Sequence, residues 1–142
     1  MHMANNEKIV RKFISYFQKN WPEDFEAAVA YLAADAYYQM ATPTIPPVQG
    51  REAILKALQA MKSRVAEQEH EVINVAASDS VVFMERVDYS FRGGKWVSVP
   101  LVAVFELNAE GKITAWREYL DIYNNIKQHG VSFEEFEKTI GT

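Results

Sequence analysis

The chain has 142 residues, 49% of them apolar and 24% charged, with a net charge of −4 and no cysteine. That is single-domain length, enough to bury roughly 68–70% of the surface its unfolded chain exposes without any covalent staple. Disulfides, thiolate metal sites and cysteine nucleophiles are excluded together, and lysines and arginines interleaved with acids (Lys8, Arg11, Lys12, Lys19, Lys56, Lys62, Arg64) form no basic stripe for nucleic acid.

Met1-His2-Met3 does not read as a native start, and residues 1–4 are expected to lie outside the folded unit. From 7 to 18 the apolar residues Ile9, Val10, Phe13, Ile14 and Phe17 fall on one helical face. Asn20-Trp21-Pro22 breaks that helix. Pro22, Glu23 and Asp24 suit the first turn of a second, shorter one marked by Phe25, Val29 and Leu32. Residues 36–42 read as a strand, and 42–50, with Pro43, Pro46 and Pro47, as an extended loop. A third helix starts near Arg51 and carries Ala53, Ile54, Ala57, Leu58, Met61 and Val65 on one face. Strands are expected at about 70–77, 81–92, 96–107 and 113–122. Gly93-Gly94 makes a two-residue hairpin and Asn108-Ala109-Glu110-Gly111 the next one. In the tail over 129–142, Ser132-Phe133-Glu134-Glu135 fits a capping box for a short terminal helix.

No repeat, linker or low-complexity segment divides the chain, so 1–142 reads as one α+β domain. Its curved, mostly antiparallel sheet would wrap over about three helices as a cone with a cavity. No apolar run approaches the length of about 18 residues that a membrane helix needs, and no basic-then-apolar leader is seen. A cytoplasmic protein is expected, with no membrane partner.

Strand alternation separates the faces. Over 113–122, Trp116, Glu118, Leu120 and Ile122 point one way, and Glu118 is the single charge among them. A carboxylate on a core face is expensive unless paired or protonated. Over 81–92 both faces mix apolar and charged residues. With Val82, Met84, Arg86 and Asp88 inward, Arg86 and Asp88 are neighbours, and an arginine fork could bridge Asp88 to Glu118. With that face outward they are an ordinary solvated pair. His70 beside Glu69 and Glu71 reads as an exposed edge, and His2, His70 and His129 share no metal-ligand spacing, so no metal or cofactor is expected.

Glu85-Arg86-Val87-Asp88, Val104-Phe105-Glu106-Leu107, Gly111-Lys112-Ile113 and Trp116-Arg117-Glu118-Tyr119-Leu120-Asp121 together resemble the limonene-1,2-epoxide hydrolases. So do Tyr37-Tyr38-Gln39-Met40 and Pro46-Pro47-Val48-Gln49-Gly50-Arg51. The likeness spans the whole domain and is dense over 81–121. It places the chain in the wider nuclear-transport-factor-like, ketosteroid-isomerase-like and SnoaL-like group of cystatin-like cones. It implies a one-step addition of water to an epoxide, with one carboxylate as base, one as acid, an arginine between them, and a tyrosine and an amide holding the water. Carried over, Arg86 is the bridge and Asp88 the acid. The family's base is an aspartate where this chain has Glu118. Its Tyr-x-Asn matches Tyr37-x-Gln39 when a short insertion follows, whereas a register through Tyr38 puts Met40 at the amide position.

The substrate would be an apolar small molecule, with walls from Val82, Met84, Trp116, Leu120, Val102 and Phe17. Two other readings keep the pocket: a ketosteroid-isomerase or polyketide-cyclase type of enzyme, and a non-catalytic binding module. The opposite sheet face, assigned Phe83, Val87, Tyr89, Phe91 and the odd-numbered Val97, Val99, Leu101, Ala103 and Phe105, is apolar enough to predict a homodimer.

Overall fold

Periodicity sets the first element. In the computed structural model, which describes residues 3–19 and 25–140, helix α1 (Met3–Lys19) buries Val10, Phe13, Ile14 and Phe17 on one stripe. The helix already includes residues 3 and 4, so the expected unstructured start does not extend to them. The predicted break at Asn20-Trp21-Pro22, with Glu23 and Asp24, lies outside the described residues. Helix α2 (Phe25–Val29) buries Phe25, Ala28 and Val29. Leu32, assigned to that helix from sequence, instead opens strand β1 (Leu32–Gln39). β1 begins earlier than the expected 36–42, and it ends earlier because Ala41 takes a positive φ of 51° and turns the chain.

A two-residue strand, β2 (Val48–Gln49), lies inside the proline-rich loop and pairs antiparallel with β1. Helix α3 (Arg51–Met61) follows, burying Ile54 and Leu58. The Arg51 guanidinium donates to the Leu32 carbonyl at 3.1 and 2.8 Å, anchoring the start of α3 to β1. Strands β3 (Glu67–Ser78), β4 (Val81–Arg92), β5 (Lys95–Leu107) and β6 (Ile113–Leu120) complete one sheet ordered β2-β1-β6-β5-β4-β3. β1 and β6 run parallel and every other neighbour antiparallel. Gly93 and Gly94 both take positive φ, 59° and 78°, and close Arg92 onto Lys95.

The register corrects the face assigned to β5. Phe105 pairs with Val82, Ala103 with Met84 and Leu101 with Arg86, so the odd-numbered residues lie on the inner face. Val97, Leu101, Ala103 and Phe105 are buried there, and Val99 packs against the same core. The even residues Val102 and Val104 sit outside, opposite Glu85 and Phe83. β5 is a central strand with apolar residues on both faces, so alternation alone could not choose between them. β3 carries a bulge between Val72 and Asn74, which keeps His70 and Val72 inward before it and Val75 and Ala77 inward after it.

β6 stops at Leu120, and helix α4 (Ile122–His129), absent from the sequence reading, begins there. Asp121 Oδ1 caps it, accepting from the Tyr123 and Asn124 amides. The Gln128 carboxamide exchanges two hydrogen bonds with the Ser98 backbone, standing in for a strand neighbour where β6 has ended. Helix α5 (Phe133–Ile140) starts at the expected cap, with the Glu135 amide donating to Ser132 Oγ. Among the described residues no helix is long and apolar enough to cross a membrane.

The inner face closes on an aromatic cluster. Phe13 meets Phe17, Phe105 and Trp116 edge-on at 5.2, 6.2 and 4.9 Å, and Tyr38 stacks on Trp116 at 3.9 Å.

Candidate active site

Two strands carry the charges that this core encloses. Arg86 on β4 and Glu118 on β6 are separated by β5, where Leu101 lies opposite Arg86 and Ala103 opposite Glu118. The small Ala103 leaves room for two long side chains to meet above it. Arg86 Nε donates to Asp88 Oδ1 at 2.7 Å and Nη2 to Asp88 Oδ2 at 3.2 Å. The same Nη2 donates to Glu118 Oε2, so one guanidinium spans both carboxylates. Trp116 Nε1 also donates to Oε2, at 3.1 Å. The other oxygen, Oε1, faces the Tyr38 hydroxyl at 3.4 Å.

His70 completes the group from β3. Its Nδ1 meets Asp88 Oδ1 at 2.6 Å, because the register sets His70 directly across from Asp88. β3 is the sheet edge, as expected, yet the His70 side chain is only 4% exposed, which corrects the reading of an exposed histidine. α1 covers it, and Gln18 Oε1 accepts from the His70 amide. The signal available in sequence was the even spacing of His70 with Val72, hidden by the glutamates on either side.

Burial would weaken the Arg86 charge, but Glu118 and Asp88 outweigh it and hold the guanidinium firmly protonated. Burial would likewise raise the Asp88 carboxyl; Arg86 and then His70 prevail and hold it below the usual carboxylate range. Tyr38 is pushed well above the ordinary phenol value by burial and by the Glu118 charge, so its hydroxyl remains a donor. Asp88, with 15% of its side chain exposed, is the most open carboxylate of the set.

Arg86, Asp88 and Glu118 are therefore brought together, while Tyr37 and Gln39 are not. Tyr38 pairs with Trp116 and points inward. Tyr37 and Gln39 alternate to the outer face, beside Ala115 and Arg117. There the Tyr37 hydroxyl accepts from Arg117 at 2.6 Å, and the Gln39 amide donates to the Ile45 carbonyl at 2.8 Å. The position two residues beyond Tyr38 is Met40, packed against the core. Val102 is also corrected, being 40% exposed on the outer face. Val82, Met84, Trp116 and Phe17 lie buried on the inner side with Leu120 packed against them. A hollow of about 560 Å³ lies elsewhere, between β1 and α3, lined by Ala34 and residues 49–53 with Lys56.

Residues 4–130 match the limonene-1,2-epoxide hydrolase catalytic domain family. The epoxide hydrolase EphG of Mycobacterium tuberculosis is 30% identical over 118 residues, covering 83% of this chain and 74% of that protein. A solved LEH-like epoxide hydrolase from M. tuberculosis superposes with a TM-score of 0.75 at 27% identity, over 88% of this chain and 89% of the other. An NTF2-like protein from Burkholderia pseudomallei K96243 shares the fold at 17% identity, with a TM-score of 0.77 over 88% and 97% of the two chains.

Proposed function

This chain belongs to the limonene-1,2-epoxide hydrolase family, and on that premise we propose that it adds water to the epoxide of an apolar small molecule in one step. The observation that carries the reading is the single Arg86 guanidinium held between Asp88 and Glu118 on a buried sheet face. Glu118 acts as base. Its Oε2 is engaged by Arg86 and Trp116, which leaves Oε1, beside the Tyr38 hydroxyl, as the oxygen that takes a proton from water. The water oxygen bonds to an epoxide carbon as the carbon–oxygen bond breaks. The freed oxygen takes a proton from the Asp88 carboxyl, giving the diol with no covalent intermediate. Arg86 keeps both carboxylates in register through the change of charge. Val82, Met84, Trp116, Leu120 and Phe17 supply the apolar surroundings.

The test is incubation with a panel of epoxides in heavy-oxygen water, with labelled diol as the expected product. Asp88→Asn and Glu118→Gln should each abolish it while the circular-dichroism spectrum stays native. Unchanged turnover in either variant overturns the assignment, and conversion of enones without action on any epoxide would point to an isomerase.

A further inference from the structure

We propose that His70 is a positioning residue of the acid end, holding against Asp88 Oδ1 the exchangeable proton that reloads the acid between turnovers. This inference rests on the epoxide-hydrolase reading above and adds a residue that the sequence resemblance did not assign.

The geometry is specific. Nδ1 of His70 lies 2.6 Å from Asp88 Oδ1, the oxygen that also accepts from Arg86 Nε. Nε2 is buried and makes no hydrogen bond, so the imidazole reaches the cluster only through Nδ1. Charge supplies the reason for a histidine here. One guanidinium faces two carboxylates, and the buried set is left one negative charge in excess. One proton at the Nδ1–Oδ1 contact brings it to neutrality without disturbing the Arg86 bridge. The ring is linked to Asp88 and, through it, to Arg86 on β4, which bridges to Glu118 on β6; from α1 the uncharged Gln18 accepts from the His70 amide.

The same contacts explain how Asp88 can serve as an acid. Held by Arg86, a lone carboxyl would be empty of its proton at neutral pH. His70 Nδ1, 2.6 Å from Oδ1, is the donor from which the carboxyl can draw one. Nδ1 passes its proton to Oδ1 before Asp88 gives one to the epoxide oxygen, and the imidazole is reloaded afterwards through Asp88, whose side chain is 15% exposed, because its own Nε2 is buried. The proton that Glu118 took from water leaves to solvent, so each turnover is balanced.

Two variants separate positioning from proton holding. His70→Gln can still donate one hydrogen bond to Asp88 but cannot titrate, whereas His70→Phe removes both. In both variants the high-pH limb of the kcat/KM profile should move to lower pH by about one unit or more, since the acid then depends on Asp88 alone beside Arg86. His70→Gln should retain more kcat than His70→Phe. A limb that stays in place in His70→Gln overturns the proposal and leaves a structural histidine. A second readout needs no substrate. Nitrogen-15 spectra of the full chain should show a hydrogen-bonded His70 Nδ1–H that is lost in Asp88→Asn, and an Nδ1 without its proton in the wild type overturns the proposal. Absence of epoxide turnover in a protein whose Nδ1–H is present would fault the reaction rather than the pair.

Discussion

Trp116 donates its indole N–H to Glu118 Oε2 at 3.1 Å, the same oxygen that faces the Arg86 guanidinium. The ring is fixed by its neighbours: Tyr38 stacks on it at 3.9 Å and Phe13 meets it edge-on at 4.9 Å. Packing of an aromatic cluster is thus converted into the aim of a carboxylate. Trp116→Phe keeps most of the ring and removes the donor. Stability should fall by about 1–3 kcal/mol, the range for a buried acceptor losing a partner. Diol formation should drop about tenfold as Glu118 loses one of its two Oε2 restraints, by a factor of the size of one lost hydrogen bond. Urea unfolding and steady-state kinetics measure the two effects, and a variant with unchanged kinetics would show that Arg86 alone aims Glu118.

The tyrosine beside Glu118 is Tyr38. Tyr38→Phe removes the donor beside Glu118 Oε1 and should lower kcat by about tenfold to a hundredfold. Tyr37→Phe and Gln39→Ala alter side chains on the outer face and should leave kcat within about twofold, as surface changes away from a site do. The opposite ranking would restore the register through Tyr37 and Gln39.

Particular residues show where the sequence was legible. The extent of β4, the two-glycine hairpin and the Ser132 cap each follow from local chemistry, and each appears where expected. Arg86 and Asp88 were legible as neighbours because a strand fixes which residues share a face. Their link to Glu118 depended on β5 lying between them, a long-range fact that alternation does not encode. Tyr37 and Tyr38 are adjacent and identical, so only the pairing of Tyr38 with Trp116 decides which one turns inward. His70 was misread for a related reason. Glu69 and Glu71 face outward and advertise an exposed edge, while α1 covers the side chain between them.

Acid should reveal how firmly Asp88 is held. Its carboxyl lies below the usual range in the folded protein because Arg86 and His70 outweigh burial. A depressed folded-state pKa contributes stability that is present above the unfolded value of about 3.9 and is lost as pH falls through the folded value. Asp88→Asn removes the titrating group, so its unfolding free energy should vary less with pH below about 4 than that of the wild type. Urea midpoints across that range test this, and parallel curves would show that Asp88 carries no such stabilisation.

A second copy of the chain is the occupant we propose for the outer sheet face. Phe83, Val102 and Tyr119 are 43%, 40% and 43% exposed there, with Val102 directly across from Tyr119. Apolar side chains gathered on one sheet surface are costly in water. Sedimentation should give a dimer at micromolar concentration, and Val102→Glu should shift it to monomer by burying a charge in the contact. A wild-type monomer under those conditions rules the interface out.

Glu118 stands where the family resemblance implies an aspartate, and the geometry predicts that restoring the shorter residue will harm this site. Oε2 of Glu118 must reach Arg86 across β5 while also accepting from Trp116, whose ring the aromatic cluster holds in place. An aspartate withdraws the carboxylate by one methylene. It can follow Arg86 or Trp116, but it cannot satisfy both without moving strand β6. A retreat of on the order of 1 Å would misplace the carboxylate we propose as base and should lower kcat about a hundredfold. The circular-dichroism spectrum should stay native and KM should change little, because the apolar surroundings are untouched. A Glu118→Asp variant with equal or higher kcat would mean that the longer arm is not what this arrangement of Arg86 and Trp116 requires.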